Sequence, residues 1–424
     1  MYDKASIALI PSGYRDGELF SVLPANGNGD FNFGSGSTAT RVNKDGLIET
    51  VGDDIPRLDY PLTNGVVGDC PHLLLEPQRL NYSNYTEALS NWVDENVTTT
   101  DNQTVSPDGS VNASKIVEDS QNTFHLISKL VSSTTTANNL VFTCFVKKGT
   151  RTNAYIYFRT YNNANRYGIN VNLENGTITD TETIGAPANV ETSVTDYGND
   201  WYRVKVRMYQ ISGTATMLIG PNNNTTINGI NNTYQGDGSS YIYAWGTQLE
   251  VGNYETSYIP SPNSATQVTR SADACNNSGT SAEFNDSEGV LFAEIAALAD
   301  DGTNRRIAIS NAGVSALHRL EYFTTSNVIN VVTYVSPSNQ VVLSHTLSNV
   351  TDFVKIAYKY KTGDFALWVN GVEVGTSVSG NLPTGLTKLN FDNGAGANDF
   401  YGKCKQLIYF NEALSDSELQ TLTS

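Results

Sequence analysis

The run WYRVKVRMY at 201–209 alternates apolar and charged residues without a break. A period of two is the period of a strand, whose successive side chains point to opposite faces. Tyr202, Val204, Val206 and Met208 share one face and Arg203, Lys205 and Arg207 the other, so this strand is expected to lay one side on a core and the other in water. Five more runs read as strands, at 140–148, 154–161, 166–173, 215–220 and 241–250. In the last, Tyr241, Tyr243, Trp245 and Leu249 fall on one face at strict alternation, opposite Ala244, Gly246 and Gln248. Repeated half-buried strands of this kind need a second sheet to cover them, and a sandwich follows.

A second series lies beyond residue 288: GVLFAEIAAL, RIAIS, RLEYF, NVINVVTYV, QVVLSHTL, FVKIAYKYKTGDFALWVNGVEV, KLNFDN and KQLIYF. Within it Asn370-Gly371 separates two apolar runs, the pattern of a two-residue type I′ hairpin whose central residues both need positive φ. At the C-terminus Ser415 and Glu418 form a capping box, followed by Leu419 and Leu422, which predicts one short helix. The fold class expected is therefore all-β, an N-terminal attachment region followed by two β-sandwich (jelly-roll) domains with a short C-terminal helix. Residues 1–80, dense in Gly, Asn, Asp and Pro, look short of a core of their own and need help from another chain or from the following domain. They read as an attachment or assembly region, 81–262 as the first sandwich, 263–287 as a linker and 288–424 as the second sandwich.

Charge narrows the partners. Against 26 Lys and Arg stand 43 Asp and Glu, a formal charge of -17, which repels phosphate backbones and anionic membrane surfaces. Neither nucleic acid nor a membrane is an expected partner, and no apolar run approaches the ~20 residues of a membrane helix. The N-terminal apolar patch is too short for a signal peptide, so the chain reads as soluble. Cys70, Cys144, Cys275 and Cys404 are far apart and form no CxxC, and His72, His125, His318 and His345 show no metal-binding spacing, so free thiols and isolated histidines are expected. The loop carboxylates Asp94, Glu95, Asp108 and Asp237 suit Ca²⁺ chemically, but solubility is the preferred account of them; no metal residue and no cofactor is assigned.

Catalytic patterns are missing. Neither a G-x-S-x-G elbow nor a phosphate-binding GxxxxGK[ST] loop occurs. Retaining glycan hydrolysis needs two carboxyl groups ~5 Å apart, and Glu283, Asp286, Glu288 and Glu373 lack the spacing of alternate residues on one strand. An enzyme is not expected.

Three resemblances add to this. The blocks KIAYKYKTGDFALWVNGVEVGTSVSG and GKCKQLIYFNEALSDSELQTL resemble the concanavalin A-like (laminin-G-like) jelly roll over 288–424. NWVDENVTTT, SPDGSVNASKIVED, WYRVKVRMY and YIYAWGTQLEVGNYETSYIPS resemble carbohydrate-binding-module sandwiches of glycan-binding modules and viral fibres. ASIALIPSGYRDGELFSVLPANGNGDFNF, STATRVNKDGLIETV, IPRLDYP and CPHLLLEPQR, followed in order by GTQLE, TSYIP and TRSAD, resemble virion proteins of marine tailed bacteriophages. These likenesses imply a virion surface protein, a head fibre, capsid decoration or tail fibre. It would be held to other virion proteins through its N-terminal region, trimeric like other fibres, and in contact with host surface glycans. A purely structural decoration is the alternative, and a polysaccharide depolymerase the third. Sugars present apolar C–H faces that stack on aromatic rings, which nominates Tyr155, Tyr157, Trp201, Tyr241, Tyr243 and Trp245; the same rings could instead fill the core.

Overall fold

The computed structural model describes residues 2–11, 14, 15, 17–131, 138–160, 163–210, 213–229 and 231–424. Tyr161, at the end of one sequence-read strand, and Ile230, in the Asn-rich loop, lie outside the described residues.

The alternating runs between 81 and 262 form two six-stranded sheets. One runs in the order Val97–Val105, Val111–Glu118, Tyr241–Val251, Asn138–Lys148, Trp201–Gln210, Glu191–Asp196, and its partner in the order Val93–Glu95, Leu126–Val131, Ala215–Asn222, Asn153–Thr160, Asn165–Asn172, Thr177–Ile184. Phe142, Cys144, Val204 and Met208 from the first meet Ile127, Ile156, Phe158 and Met217 from the second in one core. Tyr202, Val204, Val206 and Met208 all face that core, as their spacing predicts. Their alternates do not lie in water: Arg203 and Lys205 are buried. Arg203 donates to the carbonyl of Thr256 at 2.8 Å, and Lys205 pairs with Glu191 at 2.6 Å and Glu255 at 3.1 Å. Alternation reports which positions are polar, but not what another part of the chain lays over them.

The all-β expectation holds for the C-terminal half as well. A five-stranded sheet, Ser338–Thr346 through Lys388–Asn390, faces a larger sheet that includes Phe365–Val369, Val354–Lys361, Glu288–Ala297 and Gly402–Phe410. Asn370 (φ 45°) and Gly371 (φ 82°) both adopt positive φ, and Val369 pairs with Val372 across the turn. The helix Asp416–Thr423 carries the Ser415/Glu418 capping box. Its Leu419 and Leu422 pack on Phe292, Trp368 and Ile408, on the side of the sheet away from the main core.

Residues 1–80 obtain most of their burial from this second sandwich, and the hairpin Ala39–Val42/Ile48–Val51 packs on the middle one. Ile7–Leu9 and His72–Leu75 both pair with Gly402–Phe410, at Leu407–Tyr409 and Gly402–Cys404 respectively, so they lie end to end along that strand, and Arg57–Asp59 pairs beyond His72–Leu75. Ile7, Leu9, Phe31, Phe33, Leu73 and Leu75 share a core with Leu291, Ile309 and Tyr358. Residues 263–287 carry two short strands. Val268–Arg270 pairs with Arg79–Asn81, and Ala274–Asn276 with Phe31–Gly34. Three or four residues are too few to display a period, which is why the sequence shows neither strand.

Where these segments meet, two arginines and two carboxylates are buried together. Arg57 bridges Glu76 and Asp273. Arg270 reaches Glu76 at 2.6 Å and donates to the carbonyl of Pro77 at 2.6 Å. Ser257 donates its N–H to Glu76 Oε1 at 2.8 Å, and Asp273 accepts the Glu76 N–H at 2.7 Å. Burial opposes the Glu76 charge, but Arg270 and Arg57 hold its carboxyl well below the ordinary range.

Candidate glycan-binding face

The nominated aromatics are sorted by what the sheets leave open. On the first sheet of the middle sandwich, Tyr241, Tyr243 and Trp245 point away from the core. Leu249, expected on the same face, points into the core. The reason is a bulge: Phe145 pairs with Trp245 but Thr143 with Gln248. Gly246 sits at φ +61° inside it, a conformation available to glycine at no steric cost. The extra residue reverses the alternation, so even-numbered Ile242 and Ala244 face inward before it and odd-numbered Leu249 after it.

Trp201 and Trp245 are fully buried on that outer face. They share a cluster with Phe145, Ile48 and Tyr258, the Trp245 and Tyr258 rings lying 4.7 Å apart. Trp201 Nε1 donates to the carbonyl of Val105 at 3.0 Å, so the end of the Val97–Val105/Val111–Glu118 hairpin closes over it. The hairpin Ala39–Val42/Ile48–Val51 adds a second cover, with Ile48 N–H donating to Pro107 O at 2.9 Å. Beside this cover a cleft of about 590 Å³ opens between the two sandwiches. Its charged walls are largely satisfied by one another, as in Lys205–Glu191 and Arg207–Glu191.

Tyr155 and Tyr157 lie on the outer face of the second sheet, stacked at 5.4 Å and 25°. Gly168, directly opposite Tyr157, makes room for them, since a Cβ there would lie 2.9 Å from both side chains. Tyr155 donates to Glu182 at 2.5 Å; burial first, and then this carboxylate, push its phenol far above the ordinary value. Both rings are buried because the Asn-rich loop after Asn222 folds back on them. Ile227 packs against them and donates its N–H to Asp180 at 2.8 Å, and Asn170 donates to Asn224 O at 3.3 Å. This loop, rich in Asn, is thus a lid over two of the nominated rings.

Tyr241 and Tyr243 are partly exposed, their rings edge-to-face at 5.3 Å. Lys115 and Lys147 stand directly opposite Tyr243 on its two neighbouring strands. The sequence gives no sign of this, because it needs the pairing register of three strands. Of the six nominated residues, the structure brings Trp201, Tyr241, Tyr243 and Trp245 onto one sheet face and sets Tyr155 and Tyr157 on the other sheet.

The carboxylates considered for hydrolysis are engaged separately. Glu283 accepts from Thr280 and Asn28, Asp286 from the N–H groups of Gly385 and Leu386, and Glu288 pairs with Lys361. Asp94 accepts from Thr99, Asp108 from Ser106 and Ser110, and Asp237 from Ser239 and Ser240. Among the described residues no group of three or more His, Cys, Asp or Glu is placed to hold a metal ion. The cysteines are free thiols.

No protein-family profile and no curated protein matches the chain. Among solved structures, the CBM40 module of the Ruminococcus gnavus IT-sialidase aligns with 33% of this chain and 84% of its own, at 14% identity and a TM-score of 0.29. Domains LG4-5 of the mouse laminin α1 chain align over 70% and 92%, at 10% identity and a TM-score of 0.23. Sheep galectin-11 aligns over 28% and 85%, at 10% identity and a TM-score of 0.20.

Proposed function

We propose that this chain is a virion surface protein of a tailed bacteriophage, a fibre or capsid decoration that contacts host surface glycans through its middle sandwich and catalyses no reaction. The observation that carries the glycan contact is the Tyr241–Tyr243 pair, partly exposed on a sheet face where Trp201 and Trp245 are covered. Partly exposed rings offer a sugar the C–H stacking surface it needs, at less cost to the fold when removed than buried ones. The virion role rests on the ordered strings from ASIALIPSGYRDG to TRSAD.

A direct test compares Tyr241→Ala and Tyr243→Ala with Trp201→Ala and Trp245→Ala, measuring melting temperature together with binding to host cells and a glycan array. The tyrosine variants are expected to keep their melting temperature within the effect of ~1 kcal/mol while losing binding. Trp245→Ala is expected to lose ~3–5 kcal/mol of stability. Binding that survives both tyrosine substitutions overturns this face as the contact, whereas a parent chain that binds neither cells nor array leaves the second reading, a decoration without ligand, which the burial of Tyr155, Tyr157, Trp201 and Trp245 favours. Release of reducing ends from host polysaccharide by the purified chain would point instead to a depolymerase.

A trimer mounted through residues 1–80 is the assembly proposed. Those residues meet their own burial needs inside the chain, so the contact would use their outer surface, where Val22 and Val66 are exposed. Light scattering that finds a monomer at micromolar concentration overturns it.

A further inference from the structure

Tyr243 pairs with a lysine on either neighbouring strand. Thr100, Lys115, Tyr243, Lys147 and Trp201 are successive cross-strand neighbours, one from each of five adjacent strands. Side chains directly opposite one another share a face, so these five make a single transverse row. Lys115 Nζ lies 3.9 Å from the centroid of the Tyr241 ring, a cation–π geometry that holds the ammonium on Tyr241, whose own ring meets that of Tyr243 edge-to-face. Tyr241 is itself seated over Gly149, where a Cβ would come within 2.4 Å of its ring. Lys147 Nζ donates to the carbonyl of Asn199 at 2.7 Å and lies 6.0 Å from the Trp201 ring.

Neither ammonium has a carboxylate within ion-pair distance among the described residues, whereas their neighbours Lys148 and Lys205 pair with Asp200 and with Glu191 and Glu255. Two cations left unneutralised on the strands flanking a partly exposed aromatic ring stand out in a chain with a formal charge of -17. We propose that the glycan held on this face is an acidic one. A sugar ring stacks on Tyr243, and carboxylates of the same or the adjoining sugar are bound by Lys115 and Lys147. Tyr241 is a positioning residue that acts through Lys115. The two lysines are separated by two strand spacings of about 4.8 Å, so a short acidic segment lying across the strands reaches both. The field of the whole molecule repels a polyanion, so attraction to one must come from this local pair and weaken as salt is added.

This inference rests on the glycan-contact reading, and affinity electrophoresis of the full chain separates the two. Gels would contain alginate, a polymer of uronic acids, or neutral dextran. Retardation by alginate and not by dextran is expected, and it should fade with salt. Lys115→Gln and Lys147→Gln are each expected to weaken retardation roughly tenfold at unchanged melting temperature, the loss of one charge-assisted hydrogen bond. Tyr241→Phe should keep the affinity and Tyr241→Leu should lower it, because the phenyl ring retains the cation–π contact and leucine does not. Equal retardation by both polymers, or lysine variants that bind alginate like the parent, overturns the acidic preference while glycan contact stands. Retardation by neither polymer overturns the acidic preference, and glycan contact then falls only if the cell and array binding is also lost.

Discussion

A carboxyl caught between two loops shows how much a single residue can register. Glu87 accepts from the Tyr258 hydroxyl at 3.0 Å and from Asn112 Nδ2 at 2.9 Å, and the same amide nitrogen donates to Asp108 at 3.0 Å. Burial, with Asp108 adding repulsion, pushes Glu87 up to about 7 from an ordinary 4.5. The folded state therefore holds this proton more tightly than the unfolded one, so the contribution is fully present below pH ~4.5 and is lost as pH rises through about 7. Its size is of order 1–3 kcal/mol. Glu87→Gln keeps the hydrogen-bonding shape without the charge, and its melting temperature is expected to fall less than the parent's between pH 5 and 7.5. His318 has the opposite sign. Buried, with Tyr360 stacked at 3.7 Å and Thr333 at 2.8 Å on Nδ1, it is pushed down to about 3 by desolvation. Its neutral form is the folded one, so its contribution is complete above pH ~6.5 and disappears as pH falls toward 3. A melting curve for His318→Phe that declines in acid as steeply as the parent's contradicts this. At this scale the sequence shows residue types but not burial: both groups read as ordinary polar residues until chain from elsewhere closes over them.

Among the elements, the strand Tyr241–Val251 contains both what can be read in advance and what cannot. Its existence and aromatic content are plain from the run YIYAWGTQLE, and so is the outward grouping of Tyr241, Tyr243 and Trp245. The inward turn of Leu249 is not, because strict alternation carries it to the wrong side of the bulge. The available signal was Gly246 itself, since a glycine inside an otherwise strong strand marks a bulge or a close approach. Here it marks both: a Cβ at Gly246 would meet the Phe145 ring at 2.8 Å, and φ is +61°. Gly246→Ala is therefore expected to cost about 1–3 kcal/mol, from left-handed backbone strain and the ring contact together. Chemical denaturation of that variant, compared with Gly238→Ala at a position of similar φ (+75°) whose nearest contact is 3.6 Å, measures the packing part. If both glycine variants lose the same stability, the ring contact contributes nothing. The helix Asp416–Thr423 and the Asn370-Gly371 hairpin were legible in full because their signals are local, a cap spanning four residues and a turn of two.

For the molecule as a whole, the decisive contacts join residues about two hundred positions apart. Arg57, Glu76, Ser257, Arg270 and Asp273 fall in the strings IPRLDYP, CPHLLLEPQR, TSYIP and TRSAD, each unremarkable alone and all meeting in one buried cluster. No local pattern reveals such a meeting, and only the balance of two cations against two carboxylates hints at it afterwards. The cluster ties the end of the middle sandwich, through Ser257, to strands that complete the second sandwich, through Arg57 and Glu76. A buried pair of this kind adds little net stability over an apolar replacement, but removing one partner strands the others without water, at ~3–5 kcal/mol. Glu76→Gln leaves two arginines facing one carboxylate and takes an acceptor from Ser257. Because the cluster belongs to both sandwiches, the loss is expected to appear in both at once. Calorimetry of the parent should show one cooperative transition, and Glu76→Gln should lower it without splitting it. If the variant instead resolves two transitions, with only one lowered, the sandwiches fold independently and the cluster is a local anchor rather than the tie between them.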